Sequence, residues 1–194
     1  MKRKDILFSV FIFILLVVLL WQVLSKSILI GQLKQDSAQI SQLQKYNDQL
    51  SLLSGIGPLK SAHIHADVKI YINGKSIDFS QKKYQITTSY IHFEDGVGDV
   101  VHMHATGMTI SHLLKSVGMD FKNGCLIAES TNYCSDGKNT LKFYVNGKEN
   151  DEFGDYVMKD LDRILISYGS ESGAEIQEQL DLVTGLAKKY STKS

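Results

Sequence analysis

Residues 62–72 read Ala-His-Ile-His-Ala-Asp-Val-Lys-Ile-Tyr-Ile. Polar and apolar residues alternate along this stretch. His63, His65, Asp67, Lys69 and Tyr71 fall on one side of an extended chain, and Ile64, Ala66, Val68, Ile70 and Ile72 on the other. A period of two is the pattern of a half-buried β-strand. Asn73-Gly74 follows, a pair that tolerates the positive φ of a tight hairpin turn. Residues 76–79 then read as a returning strand.

The same alternation gives the stretch its chemistry. His63 and His65 are two apart, so a strand aims both imidazoles at one place. A second pair of this kind occurs at His102-Met103-His104. Residues 89–94 and 99–105 read as another hairpin, closed by Asp95-Gly96-Val97-Gly98. Its register follows from burial. Pairing Phe93 with Val101, and Ile91 with Met103, puts all four on one apolar face. That register sets His92 opposite His102 and Tyr90 opposite His104, so His92, His102, His104 and Glu94 share the other face. Imidazoles crowded on a sheet repel when protonated, and His is a poorer strand former than Val or Ile. Coordination of a divalent ion explains such crowding, and His nitrogens suit Zn²⁺ or Cu²⁺. The expected ligands are His63, His65, His92, His102 and His104, with Asp67 and Glu94 orienting rings or completing the shell. Met103 points to the core in this register and is not expected to ligate copper. A solvated polar face is the plainer alternative.

Thr109 to Val117 reads as a helix, with Thr109 as N-cap, Gly118 as C-terminal stop, and Ile110, Leu113, Leu114 and Val117 as its core stripe. His112 lies on it, away from the pairs. Cys125 and Cys134 bracket a short segment, and in an oxidising compartment such neighbours pair. A structural disulfide is expected; a redox-active pair or free thiols are the alternatives. Residues 141–148, LKFYVNGK, echo residues 68–75, VKIYINGK, and both read as strands ending in an Asn-Gly turn. Asp160-Leu161-Asp162 leads into a last strand over 163–168, with Ile164 and Ile166 facing away from Leu165. Residues 172–190 read as one amphipathic helix with Ile176, Leu180, Val183 and Ala187 on its apolar side, packing back on the domain.

The N-terminal part differs in kind. Residues 6–24, ILFSVFIFILLVVLLWQVL, are about 19 nearly uncharged residues and span roughly 28 Å as a helix. No small-residue cleavage site ends the run, so an uncleaved anchor over 1–25 is expected rather than a signal peptide. Lys2, Arg3 and Lys4 precede it. They are expected to stay in the cytoplasm and leave the rest of the chain outside. Residues 26–57 follow as a polar helical stalk. Leu33, Ile40, Leu43, Leu50 and Leu53 make a partial heptad stripe on it, a surface suited to a protein partner or to self-association, and Ser54-Gly55-Ile56-Gly57-Pro58 ends it.

Across the 194 residues, 21 basic and 21 acidic side chains balance. Nucleic-acid binding would need a basic excess and is not expected. Two cysteines cannot make a four-cysteine zinc site. The sequence contains no nucleophile elbow, no HExxH, no phosphate-binding glycine loop and no Cys-x-x-Cys, so enzymatic activity is not the favoured expectation.

The order strand, Asn-Gly turn, strand, helix, strand, strand points to an α+β fold of β-grasp type. Its mixed sheet with one packed helix would occupy 58–170, and the amphipathic helix and tail 171–194. From Thr109 through Val145-Asn146-Gly147-Lys148 and Asp160-Leu161-Asp162-Arg163-Ile164 to Ser167-Tyr168-Gly169, the chain resembles the C-terminal β-grasp domain of transcobalamin and its bacterial relatives, over about residues 100–169. In that family a Gly-Asp turn enters the last strand, and Leu161-Asp162 stands in its place here. The His-x-His pairs are not part of that pattern. The whole domain behind one anchor also resembles small membrane-anchored prokaryotic proteins, some labelled protein-disulfide isomerase. The expected function is a membrane-anchored, extracytoplasmic metal-binding domain. The alternatives are a metal-free interaction module and a thiol-disulfide protein.

Overall fold

The computed structural model describes residues 3–191 in backbone and 11–191 in side chain. The basic cluster Lys2, Arg3 and Lys4 therefore lies outside the residues whose side chains are described. The chain divides into two units, Met1–Leu50 and Ser51–Ser194.

The first unit is helical. Helix α1, Arg3–Ser54, carries the apolar run and the stalk without a break. At 1.5 Å per residue its 52 residues reach roughly 78 Å. It is long and apolar enough to cross a membrane. Phe11, Phe13 and Trp21 are exposed along it, as are Leu33, Ile40, Leu43, Leu50 and Leu53 of the stalk stripe. The helix stops where expected. Gly55 has φ +71°, the left-handed geometry that ends helices.

The second unit is α+β. Its elements are β1 (Ile64–Ile72), β2 (Lys75–Ser76), β3 (Ile91–His92), β4 (Val100–Met103), α2 (Ile110–Ser116), β5 (Asp120–Lys122), β6 (Cys125–Ala128), β7 (Thr131–Cys134), β8 (Thr140–Val145), β9 (Lys148–Glu149), β10 (Arg163–Gly169), α3 (Gly173–Asp181) and α4 (Ala187–Ser191). The main sheet has the order β3-β4-β1-β10-β8-β9, with β2 also paired to β1. At its centre β1 and β10 run parallel, Val68 opposite Ile164 and Ile70 opposite Ile166. The other pairings in this sheet are antiparallel. A second sheet, β5-β6-β7, holds the cysteines.

The echo between 68–75 and 141–148 has a structural counterpart. β1 and β8 flank β10 on its two sides. Each ends in an Asn-Gly turn with both residues at positive φ: Asn73 at +51° and Gly74 at +75°, Asn146 at +53° and Gly147 at +78°. This is the turn whose twist matches paired strands.

Ala66, Val68 and Ile70 of β1 and Ile164 and Ile166 of β10 join Phe143, Ile110, Leu113 and Leu114 in the main core. Each of the larger side chains, fully buried, contributes about 1.5–3 kcal/mol. The helix α2 starts at Thr109 as expected, and the ring of His112 takes part in its cap by accepting from the Thr109 backbone N–H at Nδ1.

Three expectations need correction. The second strand of the first hairpin is only Lys75–Ser76, because Phe79 turns into the core. The polar side of β1 is not solvated: His65 and Asp67 are 1% exposed, and Tyr71 is buried against Leu165 and Val183. A strand with neighbours on both edges and elements on both faces is buried all round, whatever its alternation. The residues from 172 to 190 do not form one helix. α3 ends at Asp181 and α4 begins at Ala187. The unbroken apolar spacing conceals this interruption. Its cause is Asp67, whose carboxylate accepts from the Thr184 hydroxyl and from the backbone N–H groups of Leu186 and Ala187.

Cys125 and Cys134 are cross-strand partners on β6 and β7 and form a disulfide. Replacing both by serine removes a loop constraint worth roughly 2.5–3 kcal/mol in the chain-entropy treatment. Denaturant unfolding of the variant is expected to show a loss of that size in the second unit, with α1 helicity unchanged.

Candidate metal centre

Register builds the site. β1 pairs with β4 so that Ile64 faces Met103 and His65 faces His102. β3 pairs with β4 so that Ile91 faces Met103 and His92 faces His102, the register expected from the apolar residues. One row across the sheet is therefore His65, His102, His92. Continuing the β1–β4 register one step brings His63 opposite His104. The turn after β4 is tight. A Cβ at Gly107, φ +79°, would overlap the Gly55 carbonyl oxygen, so the backbone here packs against the start of the domain.

All five expected histidines meet. Neighbouring ring centroids lie 4.9 Å apart for His63–His65, 4.6 Å for His65–His102 and 5.9 Å for His102–His92. They lie 5.1 Å apart for His92–His104 and 5.0 Å for His104–His63. Ligating atoms of His63, His65 and His102 come within 4.8 Å of one another, close enough to hold one metal ion. Burial is graded across the cluster. His65, His92 and His102 are buried, His104 is half-buried and His63 is exposed at the rim.

His102 carries the clearest signature. Its Nδ1 lies 3.1 Å from Glu94 Oε1, close enough for the carboxylate to favour a proton on that nitrogen. With the proton there, the neutral ring carries its lone pair on Nε2. That atom is buried and has no partner. A buried acceptor without a donor costs on the order of 1–3 kcal/mol. A carboxylate fixing one nitrogen of a ring whose other nitrogen is bare is the arrangement of a metal-ligating histidine. The donor set thus fits a borderline cation such as Zn²⁺ or Cu²⁺.

The electrostatics agree. Burial, opposed by Glu94, pushes His102 down to about 4. Burial, then the neighbouring His63, lowers His65. Burial and the charges of His92 and His63 lower His104. These three rings are neutral at pH 7, the state in which imidazole ligates.

Of the two expected supporting carboxylates, only Glu94 is in place. Its Oε2 lies 3.3 Å from His92 Nε2. Asp67 stands on the same strand face but directs its carboxylate to the C-terminal segment. Burial pushes its carboxyl above the ordinary range, and the donors from Thr184, Ala187 and Leu186 pull it back. His112 is engaged in the α2 cap and is not part of the cluster.

Several neighbours had no signal in the sequence. The Tyr190 ring lies edge-on to His102 at 5.0 Å and 5.9 Å from His65. The Ser191 hydroxyl lies 3.1 Å from His65 Nδ1 and 3.0 Å from Asp160 Oδ1. Asp160 also accepts from the His65 backbone N–H. The Tyr190 and Ser191 contacts depend on α4 folding back over β1; the apolar spacing predicts that this segment packs on the domain, and does not announce that it covers the histidines.

No protein-family model, curated protein or solved structure matches this chain.

Asp67 ties the covering segment to the site strand. Asp67→Ala leaves the N–H groups of Leu186 and Ala187 without their acceptor. The expected loss is about 2–4 kcal/mol of domain stability. Hydrogen exchange should show protection falling first at residues 184–191.

Proposed function

We propose that this chain is a single-pass membrane protein whose extracytoplasmic domain binds Zn²⁺ or Cu²⁺ through its histidine cluster, as a carrier, sensor or structural site. The single observation that carries the reading is the bare, buried Nε2 of His102, held by Glu94 and gathered with His63 and His65. Neutral nitrogen donors without a thiolate or thioether favour borderline divalent ions over Cu⁺. Met103, fully buried in the core, supports the absence of a sulfur ligand.

The membrane part of the reading rests on α1 and on Lys2, Arg3 and Lys4, which favour a cytoplasmic N-terminus. The disulfide between Cys125 and Cys134 is in keeping with an oxidising compartment on the other side.

We read the domain as β-grasp. In this reading β1, β4, β8 and β10 are its four principal strands, numbered first to fourth. Their order is then second-first-fourth-third, with first and last parallel at the centre and α2 between the second and third in sequence. The transcobalamin-like resemblance is supported at two points. Leu161, standing where that family has glycine, has φ +65°. Asp162 is buried and accepts from Asn146 Nδ2 at 2.9 Å, Tyr156 Oη at 2.8 Å and the Lys159 N–H at 2.8 Å. That carboxylate joins the second Asn-Gly turn to the entry of the last strand.

The test is a Zn²⁺ titration of the full-length chain in detergent micelles, purified on a tag without histidines and stripped with chelator. Saturable binding is expected. Glu94→Gln should weaken it by about 10–100-fold, and His102→Ala at least as much, with melting transitions retained. Absence of saturable binding, or affinities unmoved by both variants, would contradict the proposal.

A further inference from the structure

The stalk half of α1 has no covered face. Every described side chain from Phe11 to Leu50 is exposed. Over the apolar run this is what a helix in lipid requires. Beyond Lys26 the surroundings are water, and there it is a deficit. Residues 27–54 contain five serines, two aspartates, an asparagine and a glycine, weak helix formers that add little stability of their own. A helix in water draws most of its stability from packing an apolar face.

The apolar face here is a heptad seam. With Leu33 at position a of a repeat abcdefg, Ile40 and Asn47 take the next a positions, and Leu29, Asp36, Leu43 and Leu50 take d. The four leucines and Ile40 are each more than half exposed. Toward the membrane the next a position is Lys26, where the seam ends. The flanking e and g positions alongside it carry Gln, Ser and Tyr and no charge. Lys34, Lys45 and Asp48 fall on b and f, away from the seam. A second copy in register therefore meets no like charge along the flanks. The complementary flank charges that would select a different chain are absent as well.

Asn47 adds direction. A carboxamide both donates and accepts, so two Asn47 side chains satisfy each other where the helices run parallel and in register. A single asparagine at an a position also selects two strands over more. The anchor imposes the same arrangement. Copies inserted with one orientation present their stalks parallel and at equal height. Confinement to one bilayer raises their effective concentration. Asp36 is the one charge inside the seam, and opposite its own copy it repels.

We propose that the stalk pairs with a second copy of this chain, as a parallel two-stranded coiled coil from Leu29 to Leu50 with Asn47 facing Asn47. The inference rests on the reading of α1 as a membrane anchor and is independent of the metal centre.

Cross-linking of the full-length chain in its membranes reads the seam. The two native cysteines are joined to each other, so an introduced thiol is the free one. Leu43→Cys, at d, and Lys45→Cys, at f, are oxidised in parallel with diamide in the presence of chelator. Leu43→Cys is expected to convert the chain to a species of twice its mass. Lys45→Cys is expected to stay monomeric, because thiols whose Cα atoms lie more than about 7 Å apart do not bridge. In detergent the unaltered chain should sediment as two copies. The double variant Ile40→Lys, Leu43→Lys should sediment as one, with its fold intact because both side chains are exposed in a single copy. Asp36→Leu should stay paired at dilutions that separate the unaltered chain. A monomeric unaltered chain, equal cross-linking at both positions, or pairing that survives the double variant would overturn the proposal. So would an adduct of Leu43→Cys whose mass is not twice that of the chain, which would mean a partner of another sequence. An alkaline wash of the same membranes tests the anchor separately: a monomer that stays with the membrane contradicts the pairing and keeps the anchor.

Discussion

The pairing of β1 with β4, in the register that sets His65 opposite His102, is the constraint on which the rest depends. Slipping that register by one residue would turn every side chain of one strand to the opposite face. Ala66, Val68 and Ile70 would leave the main core, and His63 and His65 would enter it. The core therefore enforces the site. Val68 and Ile70, packed with Ile164 and Ile166 across the parallel pairing to β10, allow only the arrangement in which the two His-x-His pairs share the other face.

That arrangement carries an energetic burden. A central strand is covered on both faces, so the histidine side must lie under protein rather than water. The fold meets this by breaking its C-terminal segment. α3 places Leu180 against the small cluster of Tyr71, Leu165 and Val183. The chain then turns at Thr184–Leu186 around the Asp67 carboxylate, and Arg163 donates to the Thr184 and Val183 carbonyls left by the turn. α4 brings Tyr190 over His102 and His65. Among the described residues, three buried side-chain atoms are left without a partner: His102 Nε2, Ser167 Oγ and Gln179 Oε1. Only the His102 atom lies within the histidine cluster.

Local chemistry made much of this legible. Asn73-Gly74 and Asn146-Gly147 announced their turns because few other residues take positive φ twice in succession. Thr109 and Gly118 marked the ends of α2. Phe93, Val101, Ile91 and Met103 defined the β3–β4 register, and with it the meeting of His92 with His102. Information that is not local was hidden. That β1 lies beside β4 depends on β10 taking the other edge of β1, and β10 is nearly a hundred residues further on. The break after Asp181 is imposed by a carboxylate 117 residues away from Thr184, whereas Ile176, Leu180, Val183 and Ala187 keep a helical spacing through it. The same distance hid the role of Asp67, which reads as a neighbour of His65 in sequence and serves the C-terminal segment in space. The β5-β6-β7 sheet was concealed by its short strands, of which only Leu126 and Ala128 on β6 are fully buried.

The central claim is that imidazoles of β1 and β4, and not sulfur, gather around a divalent ion. X-ray absorption at the zinc edge of the loaded full-length chain measures this most directly. The account expects a first shell of nitrogen and oxygen at about 2.0–2.1 Å, outer-shell scattering from at least three imidazoles, and loss of imidazole scattering in His102→Ala. A sulfur shell, or an imidazole signal that His102→Ala leaves unchanged, would contradict it.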